Sequence, residues 1–150
     1  MATCVDSSNP AANAGPDQTV NEGATVVFDG SASTDNAGVV NWTWNFTAVG
    51  AAYTLYGAKP SHTFQSAGAF VVTLSVRDAA SRSAKDAMVV RVNDMTPPTA
   101  AAGPDKIINE GMTATFDGSA SSDNVGVANW TWSFTYGQKT VHLWGKTPKF

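Results

Sequence analysis

The chain has 150 residues with 43% hydrophobic and 14% charged residues, and its formal net charge is −3. This charge leaves no basic surface for nucleic acid, and no run of roughly eighteen apolar residues is present to span a membrane. A single cysteine excludes an internal disulfide framework and a cysteine-rich zinc site.

The first predicted elements are short strands. Residues 18–21 and 24–28 predict two strands joined through the turn residues Glu22 and Gly23. Asp35, Asn36 and Gly38 form the next turn signal. No segment shows the apolar spacing and caps of a helix, so the sequence predicts an all-β protein.

The third strand, residues 39–46, alternates between large apolar and polar side chains. Successive side chains of a strand point to opposite faces of the sheet. One face therefore carries Trp42, Trp44 and Phe46, and we expect it to point into the core. The other face carries Asn41, Thr43 and Asn45.

Two longer strands complete the pattern, at residues 70–76 and 83–92. The side chains predicted to form the core are Phe28, Trp44, Phe46, Phe70 and Leu74. Roughly seven short strands with a buried tryptophan in a middle strand predict an immunoglobulin-like β-sandwich. Without a disulfide, apolar burial must hold its two sheets together.

Much of the sequence occurs twice. Residues 14–17 (Ala-Gly-Pro-Asp) recur as residues 102–105, and residues 28–33 (Phe-Asp-Gly-Ser-Ala-Ser) recur as residues 116–121, both with a shift of 88 residues. Solenoid repeats have periods of about 20–50 residues. This longer repeat therefore indicates a whole domain copied in tandem.

The repeat predicts the domain boundaries. Residues 1–8 are expected to be the last strand of a preceding unit plus a linker, residues 9–94 a complete domain, and residues 95–150 the N-terminal part of a truncated second domain. Two explanations of the partial unit stay open. Either the chain is a segment of a longer array, or a neighbouring chain supplies the missing strands.

Several of these motifs resemble the PKD (polycystic kidney disease) domain family. They are Ala-Gly-Pro-Asp, Phe-Asp-Gly-Ser-x-Ser-x-Asp, Trp-x-Phe, and Gly-x-Phe-x-Val-Thr-Leu-x-Val-x-Asp at residues 68–78. The resemblance implies tandem extracellular β-sandwich modules, as in archaeal and bacterial surface-layer proteins, adhesins and secreted hydrolases. The chain departs from the family's Trp-Asp-Phe-Gly-Asp-Gly turn, because residues 44–47 are Trp-Asn-Phe-Thr.

Acidic and amide side chains suggest a structural Ca²⁺ site in each unit. Ca²⁺ takes about six to eight oxygen ligands, and some PKD modules of secreted proteins bind it near the domain entry. The candidate ligands are Asp6, Asp35 and Asn36 in the first unit, and Asp94, Asp123 and Asn124 in the second. The alternative is that the Asp-Asn pairs only form turns by bonding their own backbone.

Three asparagines fit the acceptor pattern for N-glycosylation, namely Asn41, Asn45 and Asn129. The strand alternation places them on the face opposite the tryptophans, toward solvent. Chance sequons in a chain rich in Asn and Thr are the alternative.

Four aromatic residues flank stretches that the sequence pattern leaves irregular, and they are candidates for contact with a glycan or an interface: Tyr53, Tyr56, Tyr136 and Trp144. They could form a stacking platform for sugars, or cover the sheet edge and pack between neighbouring domains. His62 and His142 are not at equivalent positions, and neither belongs to a catalytic motif, so we expect no enzyme.

The sequence therefore predicts a structural or adhesive module of an extracellular array, in a cell-surface layer, a stalk or a filament. Its partners would be neighbouring domains or copies, a polysaccharide or a cell-surface protein, with no nucleic acid. The alternative is an accessory module of a secreted hydrolase or protease that binds substrate or glycan. A third interpretation is a self-assembling subunit that accepts a strand from the next copy.

Overall fold

The computed structural model describes residues 6–150. Within them lie nine strands: β1 Gln18–Asn21, β2 Thr25–Val27, β3 Val39–Ala48, β4 Ala51–Tyr56, β5 Ser61–Thr63, β6 Gly68–Asp78, β7 Ser83–Asn93, β8 Thr131–Tyr136 and β9 Lys139–Trp144. None of the described residues belongs to a helix long and apolar enough to cross a membrane.

The chain divides into two compact units, Met1–Met95 and Thr96–Phe150. Most of the segment predicted to close a preceding unit lies outside the described residues, and residues 6–8 are not in a strand. The predicted limits of the three segments stay predictions.

The first unit is a two-layer β-sandwich, as the sequence predicts. One layer is a five-stranded sheet in the order β1-β7-β6-β3-β4, and the other is the pair β2-β5. β1 pairs parallel with β7, while β3, β4, β6 and β7 pair antiparallel. The side chains between the layers form the core.

Alternation along the strands decides which side chains the core contains. Phe28, Trp44 and Leu74 are each 0% exposed, and Phe46 is 5% exposed, in agreement with the prediction. Phe70 is only partly buried, and it packs against the core. Phe64, which follows β5 and was not predicted, is buried and stacks on the Phe70 ring at 4.9 Å.

Two strands of the first unit, β4 and β5, were not predicted. Residues 51–56, treated in the sequence as an irregular stretch, form β4, which pairs with β3 from Ala48↔Ala51 to Thr43↔Tyr56. The hairpin turn has Val49 at φ 50° and Gly50 at φ 76°. Two positive φ angles are typical of a type I′ turn. The turn escaped prediction because a β-branched residue rarely adopts the first of them.

The second unit repeats part of this arrangement. β8 and β9 form a hairpin in the same register as β3 and β4, with Trp132 opposite Leu143 as Trp44 is opposite Leu55. Among the described residues, the second unit has no strands that correspond to β6 and β7. Trp132 is therefore only partly buried, whereas its counterpart Trp44 is 0% exposed.

Two tryptophans of β3 pack directly on the backbone of Gly30. The indole N–H groups of Trp42 and Trp44 donate to the carbonyl oxygens of Gly30 and Gly57, both at 3.0 Å. A Cβ atom on Gly30 would lie 2.9 Å from the Trp44 ring and 3.0 Å from the Trp42 ring. Position 30 therefore admits only glycine without repacking.

Replacing this glycine tests the packing. We expect Gly30→Ala to lower the free energy of unfolding by about 1–3 kcal/mol, the usual cost of overpacking a rigid core. Chemical denaturation measures the change. Val40→Ala, at a 59% exposed position, is the control and should change little. An unaltered midpoint for Gly30→Ala would contradict the close approach.

His62 of β5 lies among aromatic rings. Its ring centroid is 4.9 Å from those of Phe46 and Phe64 and 4.6 Å from that of Tyr53. Burial lowers the pKa of His62 below its ordinary value of 6.5, because desolvation disfavours the imidazolium. At the equivalent position the second unit has Phe150, which contacts Phe134 at 5.0 Å.

The lowered pKa predicts acid sensitivity. As pH falls through the unfolded value of the imidazole, near 6.5, the unfolded chain takes up a proton that the folded chain resists. Stability contributed by neutral His62 is thus fully present above this pH and is lost as pH falls toward the lower folded pKa. We expect His62→Phe to flatten the dependence of the unfolding free energy on pH between roughly pH 7 and pH 5. His142→Gln, on an exposed position, should leave it intact, and an equal slope in both variants would refute the assignment.

Candidate metal centre

Three carboxylates of the first unit converge at one end of the sandwich. Asp6 lies in the segment that enters the domain, Asp35 lies in the turn between β2 and β3, and Asp78 is the last residue of β6. One oxygen from each carboxylate lies within 4.8 Å of the other two. Residues far apart in sequence thus form one cluster.

Backbone contacts bring the entry segment to the turn. Ala11 and Thr34 exchange N–H···O bonds of 2.8 and 3.0 Å. The hydroxyl of Ser33, which is 8% exposed, accepts the Asn13 N–H at 3.0 Å. Asp6 and Asp35 therefore approach each other because the segments that carry them are bonded a few residues further along.

Asp78 is the most deeply buried member, with 1% of its surface exposed. Its Oδ1 atom accepts the backbone N–H of Arg82 at 2.8 Å. The same tight turn has Ser81 at φ 69° and a bond of 3.1 Å from the Asp78 N–H to the Arg82 carbonyl. These contacts fix the Asp78 carboxylate at the end of its strand.

Each carboxylate directs one oxygen to a backbone donor. Asp35 Oδ2 accepts the Ala37 N–H at 2.8 Å, and Asp6 Oδ1 accepts the Ser8 N–H at 3.1 Å. The remaining oxygens, Asp6 Oδ2, Asp35 Oδ1 and Asp78 Oδ2, are buried and have no hydrogen-bond partner among the described residues. Buried charged oxygens are costly unless something pairs with them. Each of the three clustered carboxylates thus keeps one buried oxygen without a hydrogen-bond partner in the described part of the chain, which a cation could bind.

The donor set determines which cation fits. All three free ligand atoms are carboxylate oxygens, which suit hard divalent cations such as Ca²⁺ and Mg²⁺ rather than metals that prefer nitrogen or sulfur. The spacing of up to 4.8 Å between oxygens suits Ca²⁺, whose ligands lie about 2.3–2.6 Å from the ion, without rearrangement. Three oxygens leave the other positions to water or backbone carbonyls.

Asp35 fits both interpretations of the Asp-Asn turn, as a turn former and as a candidate metal ligand. Asp35 caps its own turn with one oxygen and offers the other to the cluster. Its neighbour Asn36 is exposed. Asp78 was not a predicted ligand, although it ends the longest alternating strand and is the last residue of a motif quoted above. Strand alternation indicates that an acidic residue there points inward, and that signal could have identified it.

The second unit contains the counterpart of Asp35. Asp123 Oδ2 accepts the N–H groups of Val125 and Gly126, both at 2.9 Å, and these bonds lower the pKa of Asp123, that from Gly126 most. Its Oδ1 atom is buried without a hydrogen-bond partner in the described part of the chain. Asp94 belongs to the first compact unit, and the Asp94, Asp123 and Asn124 set stays a prediction.

The asparagines of the three sequons are exposed, and the tryptophans beside them point inward. The Asn45 Oδ1 atom accepts the hydroxyl of Thr54 on the neighbouring strand at 2.9 Å. Asn41 and Asn129 occupy equivalent positions. Their glycosylation stays a prediction.

The four aromatic candidates have different surroundings. Tyr56 and Trp144, at equivalent positions at the ends of β4 and β9, are 71% and 72% exposed. Tyr53 stacks on Phe46 with ring centroids 5.1 Å apart and packs against the core. Tyr136 is 67% exposed and contacts Phe150 at 5.2 Å. Tyr53 and Tyr56 therefore do not share one face.

Comparison with known proteins agrees with this fold and repeat. The family model described as PKD domain matches residues 7–92 and 95–148. The chain belongs to the PKD domain family. It contains two PKD copies in tandem, and the expected all-β sandwich is confirmed.

Two curated mammalian proteins are similar to these PKD copies. The Dyslexia-associated protein KIAA0319 of Homo sapiens is 30% identical over 143 residues, and its Mus musculus homolog is 31% identical over 144 residues. Each alignment covers 89% of this chain but 13% of the relative. The PKD pair thus corresponds to a small part of those proteins. The archaeal or bacterial setting expected from the motifs stays a prediction.

A solved structure shares the fold. It is titled as the structural basis for the promiscuous specificity of carbohydrate-binding modules from the β-sandwich superfamily, and it matches with a TM-score of 0.53 at 17% identity. The match covers 93% of this chain and 54% of that chain. At this identity the likeness shows the sandwich fold alone.

A substitution that removes one charge from the buried cluster should have opposite effects on thermal stability without and with Ca²⁺. Asp78→Asn keeps the acceptor for the Arg82 N–H but removes one of three close negative charges. We expect it to raise the melting temperature in chelator and to abolish stabilisation by Ca²⁺. In the unaltered chain, Ca²⁺ at a hundred times its Kd should add about 2.7 kcal/mol.

Differential scanning calorimetry with EDTA and with millimolar Ca²⁺ measures both effects. Asp105→Asn, at an exposed carboxylate of the second unit, removes the same charge outside the cluster and serves as the matched control. A melting temperature of the unaltered chain that does not respond to Ca²⁺ would exclude the site.

Proposed function

We propose that the chain is a structural and adhesive module of an extracellular tandem array, and that Ca²⁺ fixes the segment that enters the first domain. The observation that supports this proposal is the position of the three unpaired oxygens. One belongs to Asp6 of the entry segment, and the other two belong to Asp35 and Asp78 of the sandwich. An ion held among them would bond the linker to the domain.

A bound ion and the neighbouring proline would both restrict the conformations of the entry segment. Asn9-Pro10 and Pro97-Pro98 occupy the two entry segments, and proline holds φ near −65°. An ion removes further rotational freedom from the residues before the proline. In the sequence repeat, Asp94 and Asp123 align with Asp6 and Asp35.

The extracellular setting rests on the family and on the surface. Both copies are PKD domains, and the acceptor asparagines of the three sequons face solvent. We propose that Asn41, Asn45 and Asn129 carry glycans where the host glycosylates secreted proteins. The partners would be neighbouring domains or copies in a surface layer, stalk or filament, and the role would be non-enzymatic.

Hydrogen exchange tests the clamp directly. We expect Ca²⁺ to slow amide exchange in residues 6–11 by about tenfold or more, because the ion holds that segment closed. Asp6→Asn removes the linker's ligand and should eliminate this protection while leaving exchange in β6 unchanged.

Ser7→Ala, beside the ligand but with no role in the cluster, is the control and should behave like the unaltered chain. Exchange in the entry segment that is equal with and without Ca²⁺, in a chain that binds the ion by calorimetry, would contradict the clamp.

A second candidate function is glycan binding, as an accessory module. The observation that favours it is the pair Tyr56 and Trp144, equivalent aromatic side chains that are 71% and 72% exposed. Aromatic faces of this kind stack on sugar rings. Each aromatic ring would bind sugar within its own unit. Thr43 lies opposite Tyr56 in the first hairpin, and Thr131 lies opposite Trp144 in the second.

Titration with soluble oligosaccharides, followed by tryptophan fluorescence and calorimetry, separates the two functions. Glycan binding predicts saturable heat that is lost in the Tyr56→Ala, Trp144→Ala double variant and kept in Val49→Ala, a 79% exposed control. No heat with any sugar would leave the structural role as the function.

A further inference from the structure

We infer that Arg82 determines the charge of the cation site and thereby makes it selective for divalent over trivalent ions. The inference rests on the proposed Ca²⁺ site and adds the residue that controls its specificity. Arg82 supplies no ligand atom. It acts through its charge and through its contacts with two of the three ligands.

The contacts place Arg82 beside the site rather than in it. Its backbone N–H binds Asp78 Oδ1 at 2.8 Å, and its side-chain Nη1 atom donates to the Asp6 carbonyl oxygen. The same Nη1 atom is 4.0 Å from Asp6 Oδ1. Both carboxylates keep their other oxygen, Oδ2, unpaired and buried. The guanidinium therefore contacts the side of Asp6 that a cation would not use.

The charges then balance for a divalent ion. Three carboxylates contribute −3, and the guanidinium contributes +1. The cluster with Arg82 thus has a charge of −2, which one Ca²⁺ neutralises. Among the ion pairs of residues 6–150, that of Arg82 with Asp6 is the one that reaches the cluster. A trivalent ion would leave a net charge of +1 in this partly buried site.

The short turn after β6 makes this arrangement rigid. The Asp78 N–H donates to the Arg82 carbonyl oxygen, and the Arg82 N–H donates to the Asp78 carboxylate. The Asp6 side chain is 10% exposed and that of Arg82 is 34% exposed, so solvent screens their interaction only in part. Because the backbone contacts do not depend on the side chain, Arg82 can be replaced without removing the bond to Asp78.

Calorimetric titration of the full chain with Ca²⁺ and with La³⁺ tests the inference. We expect Arg82→Met to bind both ions more tightly and to raise the ratio of La³⁺ to Ca²⁺ affinity on the order of tenfold or more, because one repulsive unit charge is removed from a partly buried site. Arg82→Lys keeps the charge and should retain the ratio of the unaltered chain. Arg91→Met, which removes an exposed guanidinium paired with Asp17, is the second control.

The outcomes are distinguishable. If the unaltered chain binds neither ion, the proposed function fails and the inference fails with it. If it binds Ca²⁺ and Arg82→Met has an unchanged affinity ratio, the site stands and the inference is wrong. Arg82→Gln, which retains a donor for the Asp6 carbonyl, provides the same comparison should circular dichroism show that the Met variant does not fold.

Discussion

The packing of two β3 tryptophans on the Gly30 backbone is the contact on which the rest of the first domain depends. It joins the five-stranded sheet to the turn that follows β2, at the fully buried ring of Trp44. That turn continues to Ser33 and Thr34, which bond the entry segment. The hydrophobic contact thus positions the carboxylates indirectly, because it fixes the turn that carries Asp35.

The same end of the domain contains an electrostatic conflict. Folding brings three carboxylates within 4.8 Å of one another, and three of their oxygens are buried without partners. Neutral turn residues would satisfy the backbone donors equally well without this repulsion. A site that is unfavourable without an ion and favourable with one couples cation concentration to the stiffness of the linker. Such coupling fits the structural role proposed for the module.

The second domain shows which features belong to the local sequence. Its tryptophans make the same indole bonds, to Gly118 and Gly145 at 3.0 and 3.1 Å. Asp123 also caps its turn and leaves Oδ1 buried. These features form from residues close together in the chain and do not require the counterparts of β6 and β7. Full burial of the core does require them, since β6 and β7 extend the sheet beside β3 and supply buried side chains such as Leu74 and Val90.

Repetition, strand alternation and turn residues in the sequence alone determined the β-sandwich, the tandem PKD organisation, the buried core positions of Phe28, Trp44, Phe46 and Leu74, and two of the three clustered carboxylates. These depend on local periodicity, which each segment carries itself. Only the tertiary structure decided that β4 is a strand, that Phe64 is fully buried and that Phe70 is only partly buried. It also decided that Asp78 and Arg82 lie beside Asp6 and Asp35. Those results depend on contacts between segments that are separate along the chain, such as those carrying Asp6 and Asp78, or on the positive φ of Val49, which a β-branched residue seldom adopts. No local sequence pattern contains these contacts, because the tertiary fold determines which distant residues meet.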